Sequence, residues 1–103
     1  MEIRPARISD APGICELVNH YAERGRMLHR SLESVYEALR EFQVAVASDR
    51  LLGCVAVDVV WRDLAEVKSL AVSPDCRGRG LGRTLLDAAV ADARRLGVRR
   101  LFA

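Results

Sequence analysis

The 103-residue sequence predicts an α+β fold: a mixed, mainly antiparallel sheet flanked by helices, in the order β-α-α-β-β-β-α-β. Three observations predict it. Two strand-like runs, FQVAVAS (42–48) and LLGCVAVDVVW (51–61), flank the short turn SDR and read as a hairpin. WRDL then turns the chain into a third strand, AEVKSLAV (65–72). Finally, a helix-patterned segment from about Leu81 to Leu96 separates that strand from VRRLFA (98–103). A helical crossover of this kind joins parallel neighbours.

The elements follow in order. EIRPARI (2–8) is a short strand, and Pro5 marks it as an edge or bulged one. Ser9 or Asp10 caps the next helix, and Pro12 suits its first turn. Ile14, Leu17, Val18 and Tyr21 recur at helical spacing. ERGRMLHR is a loop around Gly25. Ser31 caps a second helix that carries Leu32, Val35, Leu39 and Phe42 on one face. The third strand stops at Ser73-Pro74, and the last helix buries Leu85, Ala89, Ala93 and Leu96 before Gly97 ends it. Tyr21, Tyr36 and Trp61 read as core or edge packing, and Arg4 and Arg7 as solvent-facing. The length allows a single domain, residues 1–103.

Composition excludes several classes. Half the residues are hydrophobic and 29% are charged, an ordinary globular balance. No apolar run approaches the ~20 residues of a membrane span, and the opening MEIRPARISD has no apolar signal core. The expectation is a cytoplasmic protein with no membrane contact. Cys15, Cys54 and Cys76 are widely spaced and odd in number, which suits neither a disulfide framework nor a metal site. The net charge of +2 is uneven: residues 77–100 carry seven Arg and two Asp, while the rest of the chain is net acidic. A compact basic cluster almost without aromatics favours a small anionic ligand over nucleic acid.

That cluster begins in DCRGRGLGRTLL (75–86). Gly78, Gly80 and Gly82 alternate there with Arg77, Arg79, Leu81 and Arg83, just before a helix. A helix N-terminus offers unpaired amides and about half a positive charge. Glycines let those amides reach phosphate oxygens and adopt φ > 0. A Walker loop needs Lys-Ser/Thr after its last glycine, but Arg83-Thr84 follows Gly82. A dinucleotide fingerprint needs G-x-G-x-x-G near the first strand, and this spacing is G-x-G-x-G. A plain linker and helix cap would need one glycine, not three.

Arg77-Gly78-Arg79-Gly80-Leu81-Gly82 fits the R/Q-x-x-G-x-G/A signature of the GNAT acyltransferase superfamily, which this chain resembles. LAVSPDCRGRGLGRTLL and IRPARISDAPGICELV resemble that family's central stretch and its opening strand and helix. The resemblance implies that the loop from Arg77 to Arg83 holds the pyrophosphate of acetyl-CoA. It also implies that the main chain of Leu70, Ala71 and Val72 pairs with the pantetheine arm, beside a bulge that splays the strand. An amine would attack the acetyl carbonyl directly, with a main-chain N–H near Leu70 polarising it.

ERGRMLHRSLESVYEALREF and AEVKSLAV further resemble the amino-acid N-acetyltransferases that make N-acetylglutamate at the start of arginine biosynthesis. A glutamate acceptor has two carboxylates, so cations are needed. The candidates are Arg30 and Lys68, the only lysine, with Arg26 third; solvated surface charge is the competing reading for each. Glu66 and Lys68 share one strand face. Glu66 is either the base that takes the ammonium proton or an ion-pair partner of Lys68 or of a neighbouring strand. His20 and His29 read as exposed and idle. Cys76 has no evident partners for nucleophilic work. The family's domain continues after VRRLFA with a helix and strands, and that helix often supplies a tyrosine that protonates the thiolate. No tyrosine follows Trp61 here, so the chain reads as an incomplete domain whose open sheet edge suits a homodimer. Two other functions stay open: a CoA-binding module without catalysis, and acetylation of a different amine.

Overall fold

The computed structural model describes residues 1–103. Pro5 ends the first strand, β1 (Glu2–Pro5), so the expected span to residue 8 is cut short. Ile8–Asp10 instead form a 3-10 turn. The Asp10 carboxylate accepts the Arg7 N–H at 2.7 Å and the Arg4 guanidinium at 2.7 and 3.2 Å. Asp10 therefore makes no side-chain cap to helix α1 (Ala11–Ala22). Arg4 is not solvent-facing either: its side chain is only 14% exposed in this ion pair. Pro12 lies in the first turn of α1, and Ile14, Val18 and Tyr21 are buried along one face.

Helix α2 (Leu32–Glu37) is capped by Ser31, whose Oγ accepts the Ser34 N–H at 3.0 Å. It is shorter than its sequence pattern, because a 3-10 turn at Leu39–Glu41 tightens the chain into strand β2 (Phe42–Ala47). Val35 is buried, Leu32 is exposed, and Phe42 enters the core from the strand rather than the helix. Ser48 and Asp49, with φ of 50° and 62°, form a two-residue turn. Positive φ at both central residues gives the right-handed twist that a tight hairpin needs. Arg50 already belongs to strand β3 (Arg50–Trp61) and pairs with Ala47. Strand β4 (Leu64–Val72), helix α3 (Leu81–Leu96) and strand β5 (Arg100–Phe102) complete the chain.

The sheet order is β1-β2-β3-β4-β5; β4 and β5 pair in parallel and the other neighbours are antiparallel. Strand alternation sends side chains to two cores. On one face Ile14, Val18, Tyr21 and Val35 pack on Phe42, Val44, Cys54, Ala56 and Ala71. On the other, Leu81, Leu85, Ala89 and Ala93 of α3 pack on Ala45, Val55, Val57, Ala65 and Val67. Gly97 (φ 91°) ends α3, and the Val98 N–H bonds the Ala93 carbonyl at 2.9 Å. That turn buries Val98 and leaves Leu96 51% exposed, so the apolar contact expected of Leu96 passes to the residue beyond the cap. Tyr36 and Trp61 are likewise exposed rather than packed.

Gly53 sets how closely α3 approaches the sheet. A Cβ there would meet Leu85 Cδ1 at 2.7 Å and the Ala71 carbonyl oxygen at 3.0 Å. Gly53→Ala is expected to cost about 1–3 kcal/mol through overpacking, read as a lower urea midpoint with unchanged slope.

Candidate active site

The glycine loop is built by its backbone. Gly78 and Gly80 hold φ of 80° and 79°, a region that L side chains rarely enter. Nothing lies within 4 Å of where a Cβ would stand on either, so the space above the loop is open. None of the amides of residues 78–83 donates a hydrogen bond within the chain. Those of Leu81, Gly82 and Arg83 form the first turn of α3, where the dipole adds positive potential. Arg77 and Arg79 are exposed and make no ion pair, while Arg83 pairs with Asp87 at 3.2 Å. Leu81 is buried against the sheet and pins the first turn. Gly82 faces Val72, with room for an ordinary contact at 3.8 Å. This open cradle of unpaired amides fits a phosphate group.

The turn before the loop is anchored. Asp75 accepts from the Arg50 guanidinium and from Ser73 Oγ at 2.6 Å, and these bonds hold its carboxyl well below the usual carboxylate range.

Beside the loop, β4 is interrupted. Cys54 pairs with Ala71 but Ala56 pairs with Lys68, so β4 carries one extra residue between them. Ser69, at φ 56°, is where the chain takes up the slack. The bulge implied by the family resemblance is thus located. Strand β5 pairs with β4 only at Leu64–Glu66, so residues 68–72 have no strand on that side. The Ser73 N–H points to Leu52 on β3. Alternation then turns the main-chain groups of Leu70 and Val72 to the open side and those of Ala71 toward β3. The Val72 carbonyl is already taken by the Tyr21 hydroxyl.

A cleft of about 630 Å³ opens along this edge, lined by Arg26, Arg30, Glu66, Lys68, Ser69 and Leu70 among others. The residues expected to meet the acceptor thus share one cavity, and His29 lies on its wall too. Arg30 is fixed from three directions. Its guanidinium donates to Ser69 Oγ (3.3 Å), Ser34 Oγ (3.4 Å) and the Ser34 carbonyl (3.5 Å). It also lies 5.3 Å from the Phe42 ring centroid. Its main chain is clamped by Asn19, whose amide donates to the Arg30 carbonyl at 2.8 Å and accepts the Arg30 N–H at 2.9 Å. Glu66 makes no ion pair; Lys68 bonds Asp58 on β3 instead, at 2.8 Å.

A sequence profile of the acetyltransferase (GNAT) family matches residues 12–103. The chain belongs to that family. An amino-acid acetyltransferase of Mycobacterium tuberculosis is 40% identical over 103 residues, covering 97% of this GNAT chain and 59% of that protein. One from Neisseria meningitidis is 36% identical across 100% of this chain and 24% of its own length. The crystal structure of N-acetylglutamate synthase from Neisseria gonorrhoeae, complexed with coenzyme A and N-acetyl-glutamate, superposes with a TM-score of 0.93 at 36% identity, over 97% of this chain and 24% of that one. The chain therefore spans about 59% of the first of these relatives and about a quarter of the longer ones.

Three features of this GNAT site are absent from the sequence reading. Asn19 is eleven residues from Arg30, at no motif spacing. Asp58 meets Lys68 only through the β3–β4 register. Glu41 has a buried Oε1 without a hydrogen-bond partner. Burial first, and then the Asp58 charge, push the Glu41 carboxyl up, against Lys68 and Arg30. A carboxyl raised on folding loses stability as pH climbs through its unfolded range. Glu41→Gln should therefore raise the melting temperature at pH 7 and leave it unchanged near pH ~3, where both states are protonated. The opposite ordering would mean that the carboxylate is satisfied in the fold. Burial also pushes the Cys54 thiol up to about 12, which removes it as a nucleophile at neutral pH.

Proposed function

We propose that the chain carries an N-acetyltransferase site that moves an acetyl group from acetyl-CoA to the α-amino group of an amino acid, L-glutamate first. The observation that carries this reading is the adjacency of two sites: an unpaired amide cradle at the start of α3, and a cationic cleft on the open edge of β4. The relatives named amino-acid acetyltransferase support the acceptor class.

Acetyl-CoA supplies an activated thioester. The amides of residues 78–83, with Arg77, Arg79 and Arg83, hold its diphosphate. The Leu70 main chain and the Val72 N–H face the pantetheine arm, with Ala71 as the wall behind them. The Leu70 N–H lies on the open side, where it polarises the acetyl carbonyl as the amine attacks. Once the amine is free of its extra proton, the new N–C bond forms and the C–S bond breaks; CoA leaves as the thiolate, and the second proton lost from the nitrogen balances it as the thiol. Glu66, in the cleft and free of an ion pair, takes the ammonium proton directly or through water. Arg30 holds an acceptor carboxylate, and Lys68 and Arg26 stand beside it.

The same reading puts the reaction in the cytoplasm at the start of arginine biosynthesis. It also leaves exposed Leu101 and Phe102 on β5 as a surface for a homodimer. The test is thiol release from acetyl-CoA with L-glutamate and a panel of other amines. Release that saturates with an amino acid supports the reading. CoA binding without release from any amine favours a binding module. Glu66→Gln should lower kcat by about 100-fold at pH 7 with little change in CoA affinity; kcat within a few-fold of the unsubstituted protein removes Glu66 as the base.

A further inference from the structure

The two cations of the acceptor cleft are not electrostatically equivalent. Arg30 is held by two serine hydroxyls, a carbonyl and an aromatic face, all uncharged, so its positive charge has no carboxylate partner. Lys68 is already paired: its Nζ lies 2.8 Å from Asp58 Oδ2, with side chains 32% and 29% exposed. Asp58 stands on β3 opposite Glu66, two pairs along from the Ala56–Lys68 pair and therefore on the same face of the sheet. It is not on the cleft wall, while Lys68 is. The Glu41 carboxyl is near enough to feel the charges of Asp58, Lys68 and Arg30, though it is bonded to none of them. Partial burial of the pair weakens solvent screening and strengthens the bond.

We propose that Asp58 is a specificity-determining residue: by occupying the Lys68 ammonium from behind, it lowers the advantage of an acceptor with a second carboxylate over one with a neutral side chain. A first carboxylate goes to Arg30, which has no carboxylate in an ion pair. A second must draw Lys68 away from Asp58 or share it. The acceptor class is then an α-amino acid in which side-chain charge is weakly selected. This rests on the acetyl-transfer reading of the cleft and assigns its selectivity to a residue that acts through Lys68.

The test uses the whole chain and two nearly isosteric acceptors, L-glutamate and L-glutamine, which differ in one charge. Asp58→Asn frees Lys68, and the glutamate-to-glutamine ratio of kcat/KM should rise about tenfold through the KM of glutamate. Glutamine kinetics should stay within about twofold. Asp58→Glu should keep the original ratio, and adding Lys68→Met to Asp58→Asn should abolish the gain. A merely structural role would move both acceptors together; that result, or an unchanged ratio, overturns the proposal. Calorimetric titration of the CoA-saturated protein with each amino acid gives the same comparison without turnover. If no amine releases thiol, the acetyl-transfer reading fails, while the titration still decides on Asp58: a selective gain for glutamate upholds it, and equal or absent binding overturns it.

Discussion

Gly80→Asp is expected to lower CoA affinity at least ~100-fold while leaving the protein folded. Two effects act in the same direction. Residue 80 sits at φ 79°, immediately before α3, where a side chain costs roughly 1 kcal/mol but asparagine and aspartate are best tolerated. A Cβ there meets nothing within 4 Å, so the substitution does not disturb the core. The added carboxylate, however, projects into the open space over the amides of residues 78–83. A negative charge a few Å from a diphosphate repels it and also satisfies the amides that would hold it. Gly80→Ala separates the two effects, because it adds the backbone cost without the charge; a loss of about tenfold or less is expected. Calorimetric titration with CoA reads both variants, with a thermal melt as the control for folding. CoA binding by Gly80→Asp within about threefold of the original would mean that the diphosphate does not sit on this loop.

The loop was legible in the sequence because its function is local. Three glycines, three arginines and a helix start lie within seven residues, so composition and order alone specify the cradle. The strands and helices were legible for the same reason, since period and turn chemistry are short-range signals. What the sequence hid is long-range. AEVKSLAV reads as one continuous strand, yet the structure places a left-handed Ser69 in it, because β4 carries one more residue than β3 between shared pairs. Lys68 and Glu66 look like partners two residues apart, but register gives Lys68 to Asp58. Phe42 continues the helical pattern of Val35 and Leu39, yet a 3-10 turn delivers it to a strand. Each case depends on a pairing between segments, and one-dimensional periodicity carries no information about that.

Arg30 tests the acceptor half of the site in isolation from the cofactor half. Arg30→Ala is expected to lower kcat/KM for the amino-acid acceptor by about 100-fold, mostly through KM, since one charge-assisted contact with a carboxylate is worth about 1.5–3 kcal/mol. CoA affinity should remain within twofold, because the loop amides lie on a different element. Arg30→Lys should recover only part of the loss: a lysine keeps the charge but not the fork that reaches Ser34 and Ser69 together. Asn19→Ala offers a second line of approach without touching the guanidinium. It removes two hydrogen bonds to the Arg30 main chain, so the acceptor KM should rise several-fold while the charge stays in place. If Arg30→Ala leaves the acceptor KM within about threefold, the carboxylate is held elsewhere in the cleft. Lys68 and Arg26 would then be the remaining cations on its wall.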